Sequence, residues 1–422
     1  MGPMNVRFST FFGQFPLPRI MQMTKPDFSL APRSQPELQP FTREEFEGRV
    51  ERARVLMTHH RLDAIVLTSE ANVEYLAGFV TQFAWTTPSR PWYFIVPRTG
   101  DAAAVIPEIG TTNWLETSWC RNIRTWPSPR PDDEGLSLLT PFLRGIPAQF
   151  GRIGFEIGAE SRMGMPFGDF LKVIDAMSPT GIDDCTLLMA QLRAIKSQAE
   201  IDHIRHICRI AWETFDHVPG FVGIGDSEKD ICRKFAADLL LRGADKVPYT
   251  SIGAGQDGYS SIIMGPTDRR VAKGDVLIID TGAKYGGYFC DFDRNYSFGP
   301  PLDEVARIHD VLWRATEAGI AAARPGNTAA DVFLAQARVL EAAGVPVGNI
   351  GRFGHGLGKL ITEFPSNAPG DTTVLKPGMV LTVEPSAMFG DHMMAHEEDL
   401  VITEAEPELL TPRANREITR VD

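Results

Sequence analysis

The pattern of hydrophobic and polar positions divides the chain into two parts of different character. In the first part, helical segments separate short apolar runs, which predict strands near residues 62–69, 92–98, 101–107 and 151–158. The first helix is predicted to begin after Thr42, where Glu45 completes a capping box. Strands that alternate with helices predict an α/β domain over residues 41–190.

The second part mixes helices with strands that look antiparallel. A long amphipathic helix, residues 188–218, is predicted to contain the boundary between the domains. Beyond it, helices are predicted near 227–242, 303–323 and 328–343, and strands near 275–281, 286–296, 378–384 and 397–403. This mixture predicts an α+β domain over residues 191–422, while the Pro-rich residues 1–40 are predicted to form an irregular arm.

Composition narrows the class of protein. A chain of 422 residues is too long for one ordinary domain, and a net charge of −12 argues against nucleic acid or an anionic membrane as the main partner. No apolar run is long enough to span a bilayer, and the N-terminus lacks the order of a signal peptide. Five scattered cysteines with no CxxC pair predict reduced thiols and a cytoplasmic location.

One apolar stretch carries three acids. Residues 278–295, IIDTGAKYGGYFCDFDRN, place Asp280, Asp291 and Asp293 among residue types that are typical of paired strands. Burying a carboxylate without a partner is costly, so a positive group is expected between them. The turn-prone glycines at 286–287 predict a hairpin that brings Asp280 and Asp291 face to face.

Three further candidates lie in apolar or glycine-rich segments: His355 in GRFGHGLGK, Glu384 in GMVLTVEPS and Glu398 in AHEEDLVITE. Together with Asp280 and Asp291 they form an oxygen-rich ligand set that suits Mn, Fe, Co or Zn. Four acids exceed the need of one ion, which favours two divalent ions roughly 3.5–4 Å apart with a bridging water activated as hydroxide. Taken singly, each of these residues could equally have a structural role, the acids as turn caps and the histidine as a hydrogen-bonded residue of the core.

Five segments occur in the order found in a known family. They are LRAIKSQAEIDHIR (192–205), GDVLIIDTGAKYGGYFCDFDRNYSFG, FGHGLG, KPGMVLTVEP and EEDLVIT. In these segments the chain resembles the pita-bread metallopeptidases, which include methionine aminopeptidase, aminopeptidase P and prolidase, with creatinase as a metal-free relative. The resemblance implies an α/β creatinase-like N-terminal domain and an α+β pita-bread catalytic domain.

The resemblance also implies roles for the five candidate ligands. Asp280 would bind one metal ion, and Asp291 and Glu398 would bridge both ions. His355 and Glu384 would bind the other ion, and Glu384 would also shuttle the proton of the bridging hydroxide.

The chain departs from the peptidase pattern at several positions. Thr362 stands where the family carries a second histidine, and no histidine occurs between His217 and His309, where the family carries another. Tyr259 is a candidate replacement donor, and His396, which stands in place of an arginine before the last glutamate, is a second catalytic candidate. Thr362 itself is a candidate substrate-binding residue. Because the missing imidazoles contact the scissile amide in the family, activity on Xaa-Pro dipeptides is expected to be absent or poor.

In creatinase and its relatives, the N-terminal domain of one subunit lends an aromatic residue and an arginine to the partner's site to hold a substrate carboxylate. The matching candidates are Phe83, Trp85 and Arg90, for which core packing and surface exposure are equally open. This resemblance implies a homodimer. Asp293 is predicted either to support the ligands from behind or to face solvent.

These features predict a dinuclear hydrolase that cleaves a C–N bond in a small, carboxylate-bearing, dipeptide-like substrate. One alternative is a lyase acting on a small carboxylate such as dimethylsulfoniopropionate, in which the metals position a base. The other is a non-catalytic binding protein on the same fold. Relatives of that last kind typically lose metal ligands, whereas this chain keeps candidates at all five positions.

Overall fold

A computed structural model describes residues 37–421, apart from 82, 87–89, 262 and 348–350. Nearly all of the predicted N-terminal arm therefore lies outside the described residues. The predicted capping box of the first helix is present in part, because the Glu45 N–H donates to the Thr42 hydroxyl.

A mixed six-stranded sheet organises the first half of the described chain. Its strands are β1 (Ala64–Leu67), β2 (Tyr93–Pro97), β3 (Ala103–Pro107), β4 (Ile123–Trp126), β5 (Arg152–Phe155) and β6 (Gly181–Asp184). The helices are α1 (Arg43–His60), α2 (Glu70–Ala77), α3 (Thr111–Thr117), α4 (Leu136–Arg144) and α5 (Phe167–Met177). The sheet order is β4-β3-β2-β1-β5-β6, and the apolar strands β1 to β3 are fully buried. The α/β prediction is confirmed.

The long helix predicted at 188–218 is two helices, α6 (Thr186–Ala194) and α7 (Gln198–Phe221). The break arises at Ser197, whose hydroxyl accepts the Glu200 N–H while the Glu200 carboxylate accepts the Ser197 N–H. This capping box starts a new helix axis and overrides the continuous apolar pattern. The domain boundary predicted near residue 190 falls inside α6.

After α7, the described part of the second half contains three more helices and a set of mostly short strands. The helices are α8 (Glu228–Arg242), α9 (Asp303–Ala322) and α10 (Ala329–Ala342). The strands are β7 (Lys246–Gly255), β8 (Val276–Tyr285), β9 (Tyr288–Phe289), β10 (Phe292–Ser297), β11 (His355–Gly356), β12 (Glu363–Ser366), β13 (Val380–Val383), β14 (Ser386–Phe389), β15 (His392–Ala395), β16 (Glu398–Val401), β17 (Glu408–Leu409) and β18 (Thr419–Arg420). No described helix has both the length and the apolar character that crossing a bilayer requires.

Two sheets carry the parts of the second half that matter for the site. One has the order β18-β10-β8-β7, with β9 also paired to β8, and the other has the order β12-β11-β13-β16-β17. The α+β prediction is confirmed, and all three predicted helices begin and end within one residue of their expected bounds. The sequence pattern missed β4 and β6 in the first half and β7, β11, β12, β14, β15, β17 and β18 in the second, and it merged β9 with β10. Apart from β7, the missed strands have two to four residues, too few for an alternating pattern to show.

Buried ion pairs join the two halves. The Lys359 ammonium lies 3.0 Å from the Glu74 carboxylate of α2, and both side chains are buried. Arg193, which lies beyond the predicted boundary, donates to Asn72 of α2 at 2.5 Å and also faces Glu363 at 3.4 Å. Glu363 accepts in turn from Lys196 at 3.2 Å. Separating such pairs would leave charges uncompensated in the interior, at a cost of about 3–5 kcal/mol for each broken pair. These buried contacts therefore hold the first half against the loops that carry the candidate metal ligands.

Candidate metal centre

A hairpin supplies the first two candidate ligands. Strands β8 and β10 pair antiparallel with Asp280 opposite Asp293, and Asp291 immediately precedes β10. The turn uses Gly286 and Gly287, both at positive φ, which residues with a side chain rarely adopt. The predicted hairpin is present, but its register sets Asp293 opposite Asp280, where the sequence analysis expected Asp291. Asp291, the residue that precedes β10, is buried.

The second sheet supplies the other members. His355 opens β11, Glu384 follows β13, and Glu397 precedes β16. The His355 Nε2 atom lies 3.5 Å from an oxygen of Asp291 and 3.5 Å from an oxygen of Glu384. Ligand atoms of Asp291, His355 and Glu397 all lie within 4.8 Å of one another. The His355 Nδ1 atom lies 3.0 Å from the Gly356 carbonyl, which fixes the Nδ1–H tautomer and leaves the Nε2 lone pair facing the acids.

The structure brings Glu397 into this cluster and not Glu398, the residue chosen from the sequence. Glu398 is ion-paired to Arg294 and Arg413, each at 3.0 Å, and it also accepts the Thr411 hydroxyl. Neighbouring residues of a strand point to opposite sides, so only one of two adjacent glutamates can face the site. The β13–β16 register, with Val383 opposite Glu398, sets Glu384 against Glu397.

Tyr249 is a site residue that the sequence reasoning missed. It lies on β7, beside β8, and its hydroxyl donates to Asp280 at 2.5 Å. A hydrogen bond to a ligating carboxylate orients it and fixes which oxygen is free. A tyrosine in a strand carries no local signal for this role, because the contact depends on sheet pairing 31 residues away.

Burial controls the protonation of the cluster. Burial raises the pKa of Asp280 to about 6 and that of Glu384 to about 7. Burial and the neighbouring carboxylates raise the pKa values of Asp291 and Glu397 well above the ordinary range. Burial also lowers the pKa of His355 to about 4, so its imidazole is neutral at pH 7 and can bind a cation. Four acids in this setting ionise together only when cations compensate them.

The donor set fits divalent metal ions. Asp280 Oδ1 and Glu397 Oε1 are buried with no hydrogen-bond partner among the described residues. Buried polar atoms usually have a partner, so these two oxygens are free to bind a cation. Four carboxylates and a neutral imidazole form the set that Mn, Fe, Co and Zn share. Asp293 lies behind the ligands, where its buried carboxylate interacts with the backbone N–H of Glu397. This position matches its predicted supporting role.

Two predicted catalytic residues lie apart from the cluster. The buried hydroxyl of Tyr259 accepts the Ala395 N–H at 2.5 Å, and its backbone bridges to β15. His396 lies between the Thr316 hydroxyl and the Arg413 guanidinium, at 3.1 and 3.2 Å. Burial lowers the pKa of His396 well below its ordinary value, so it is neutral in this position. Both side chains have structural partners of their own.

The predicted substrate residues occupy two regions. Thr362 lies between β11 and β12, where its hydroxyl accepts a hydrogen bond from Arg352 at 3.3 Å. Trp85 packs partly buried against the core of the first half, and the Arg90 guanidinium lies 5.9 Å from the Phe83 ring, which is 60% exposed. Among the described residues, no hydrogen bond or ion pair joins Phe83, Trp85 or Arg90 to the acid cluster of the same chain.

Comparison with known proteins gives the same architecture. Residues 202–404 match the family model for metallopeptidase family M24, and residues 49–195 match that for the creatinase/prolidase N-terminal domain. An uncharacterized peptidase of Staphylococcus saprophyticus is 30% identical over 241 residues, which cover 57% of this chain and 69% of the relative. A Xaa-Pro dipeptidase of Pyrococcus furiosus is 27% identical over 342 residues, covering 80% of this chain and 89% of the relative.

A solved structure is also similar. The crystal structure of dipeptidase PepE from Mycobacterium ulcerans superimposes with a TM-score of 0.78 at 26% identity, covering 91% of this chain and 100% of that one. These similar proteins are peptidases, and none of these findings supports the lyase or the non-catalytic alternative.

Proposed function

This chain belongs to metallopeptidase family M24, and from that premise we propose that it is a metal-dependent hydrolase of small, dipeptide-like substrates that carry a carboxylate. The observation that carries the proposal is the convergence of Asp291, His355 and Glu397 within 4.8 Å, in contact with Glu384. A neutral histidine beside buried carboxylates is a ligand set typical of metal-binding sites. The relatives named above are peptidases, which supports hydrolysis as the reaction.

We propose that Asp280, Asp291, His355, Glu384 and Glu397 hold two divalent transition-metal ions. Four acidic ligands balance the charge of two ions better than that of one. When bound, such ions supply Lewis acidity and a water of lowered pKa. Tyr249 orients Asp280 for this purpose, and the Gly356 carbonyl orients His355.

Glu384 is the proposed proton carrier. Its carboxylate lies at the edge of the cluster, beside His355, and is more exposed than that of Asp291. Because burial raises the pKa of Glu384 to about 7, either protonation state is accessible near neutral pH. Glu384 can therefore take a proton from the attacking water and deliver it to the leaving nitrogen.

The proposed function is tested by metal analysis and a substrate panel. We expect purified protein to contain about two divalent ions per chain and to hydrolyse dipeptides in a chelator-sensitive manner that added Mn²⁺ or Co²⁺ restores. Xaa-Pro dipeptides are expected to be cleaved poorly, with kcat/KM below the ordinary enzyme range of about 10⁴ M⁻¹s⁻¹. Asp291→Ala is the control for specific loading. Protein that binds no metal, or hydrolysis that resists chelation, contradicts the proposal.

We also propose that Arg90 binds the substrate carboxylate in the partner's site of a homodimer. It lies beside the exposed ring of Phe83, outside its own chain's acid cluster, as an arm for a neighbouring subunit would. Arg90→Ala is expected to lower kcat/KM about 10–150-fold with metal content unchanged, because a charge-assisted hydrogen bond contributes about 1.5–3 kcal/mol.

Mixed dimers provide the control for this prediction. A dimer of one Arg90→Ala subunit and one Glu384→Ala subunit contains one site with neither defect, so activity is expected to recover partly after subunit exchange. Exchange without recovery would place Arg90 outside the partner's site.

A further inference from the structure

Arg352 is a cation without an acidic partner at the edge of the metal centre. It lies three residues before His355 and is partly buried. One guanidinium nitrogen donates to the Thr362 hydroxyl at 3.3 Å, and the other lies 3.5 Å from the Ser366 hydroxyl. No carboxylate lies within 4 Å of it in the part of the chain that the structure describes. Two long bonds to neutral oxygens leave most of its five N–H donors unused.

Its charge nevertheless reaches the cluster. Although burial raises the pKa values of Asp291 and Glu384, the Arg352 charge acts on both in the opposite direction. After burial, the same charge is the next cause of the lowered pKa of His355. The strand pairing agrees with this, because Ser366, whose hydroxyl lies 3.5 Å from the guanidinium, is paired with His355 across β11 and β12. The guanidinium therefore lies beside the strand that carries a candidate ligand, on the side that a bound substrate would share.

The other buried cations near this region are already paired. Lys359 is bound to Glu74, and Lys196 is bound to Glu363. The Tyr249 hydroxyl, a neutral donor at the site, is directed to Asp280. Among the described residues around the cluster, Arg352 is thus a charged donor with capacity for an additional anionic partner.

Amide hydrolysis creates such a partner. The water oxygen forms a bond to the carbonyl carbon, its proton passes to Glu384, and the C=O π pair moves to the carbonyl oxygen. When this intermediate collapses, the C–N bond breaks and the nitrogen receives the proton from Glu384, giving an amine and a carboxylic acid. Between these steps the carbonyl oxygen carries a negative charge, and donors placed for it accelerate the reaction.

We propose that Arg352 donates to this oxygen as its negative charge develops, while Thr362 holds the guanidinium in position. The proposal rests on the hydrolase function proposed above and adds a residue outside the metal ligands. A planar guanidinium can contact Thr362 with one nitrogen and the oxyanion with another. An alternative in which Arg352 instead binds the substrate carboxylate before reaction is separated from this one by the experiment below.

The test compares Arg352→Met, Arg352→Lys and the control Arg314→Met. Arg314 is a partly exposed arginine of α9 that is ion-paired with Asp310, so its loss controls for the removal of one positive charge. Metal content, kcat and KM are measured with the best dipeptide of the substrate panel. Calorimetry then gives Kd for two non-hydrolysable analogues of that dipeptide, a phosphinic analogue with a tetrahedral anion and a reduced-bond analogue that lacks the carbonyl oxygen.

Arg352→Met is expected to lower kcat about 10²–10³-fold with little change in KM. It is expected to weaken the phosphinic analogue by a similar factor and to leave the reduced-bond analogue and the metal content unchanged. Arg352→Lys keeps the charge and is expected to recover part of kcat, while Arg314→Met is expected to match the wild type. If Arg352→Met does not fold, Thr362→Val provides the same comparison with a smaller expected loss.

Equal weakening of both analogues would overturn the proposal in favour of a carboxylate anchor, because both carry the same carboxylate. A kcat within a few-fold of wild type would overturn it outright, and loss of metal from Arg352→Met would show a structural role instead. Wild-type protein that hydrolyses no dipeptide would overturn the proposed function. Wild-type activity that survives in Arg352→Met overturns only the role of Arg352.

Discussion

Glu397→Gln is expected to remove most of the bound metal, and Glu398→Gln is expected to leave the metal content close to that of the wild type. Glu397 faces Asp291 and His355, and one of its oxygens has no partner among the described residues. Glu398 is held by Arg294 and Arg413 on the other side of the strand. Partners of ligands contribute about 10–100-fold to metal affinity, so loss of a ligand itself is expected to cost at least about 100-fold.

The two adjacent substitutions control for each other, because each removes one negative charge from the same strand end. Elemental analysis and metal titration of both proteins give the comparison. Glu398→Gln is expected to affect thermal stability instead, because it weakens two ion pairs to a buried carboxylate. Metal retained by Glu397→Gln and lost from Glu398→Gln would assign the ligand to the other residue.

Metal-free protein is expected to lose stability as the pH rises from about 4 to about 7. Burial raises the pKa of Asp280 from 3.8 to about 6 and that of Glu384 from 4.5 to about 7. Well below pH 4 both acids are protonated in the folded and in the unfolded chain. As the pH rises, the unfolded chain releases these protons first, so unfolding becomes more favourable until the folded acids also ionise. Each unit of pKa difference contributes about 1.4 kcal/mol, which gives several kcal/mol for the pair.

Thermal unfolding of chelated and metal-loaded protein at pH 5, 6, 7 and 8 checks this prediction. The gap between the two melting temperatures is expected to widen with pH, because the ions take over the role of the protons. Asp280→Asn removes one of the titrating groups, and its metal-free form is expected to depend less on pH. A chelated wild type that is equally stable at pH 5 and pH 8 would contradict the argument.

Local patterns in the sequence were sufficient for the helices and the main strands. The bounds of α8 and α10 follow from the caps Ser227 and Thr328 and from an apolar period of 3.6, and those of α9 follow from the period without a side-chain cap. Both signals are properties of neighbouring residues. The split between α6 and α7 was missed because the apolar pattern runs on through Ser197, whereas the capping box there decides the break. Short strands such as β11 carry too few residues for any period to show.

The site shows the same division between local and distant information. The order of the motifs pointed to Asp280, Asp291, His355 and Glu384, which the structure brings to one place. Which of Glu397 and Glu398 faces the site depends on which alternate residues of β16 point toward it. The sequence pattern does not show this, because it does not locate the first residue of the strand. Arg352 and Tyr249 carry no local signal, because the loop path and the β7–β8 pairing bring them to the site.

The buried pairs between the two halves have a consequence for modularity. Lys359 finds its counter-charge in Glu74, a residue more than 280 positions earlier in the chain. A truncated chain that begins at residue 191 would keep every candidate metal ligand but would lose the carboxylate that compensates the Lys359 ammonium, together with the surface that packs around it. The two architectural domains are therefore interdependent in stability. A chimaera that joins this catalytic half to the N-terminal domain of another protein would need an acidic residue at the position of Glu74 to pair with Lys359.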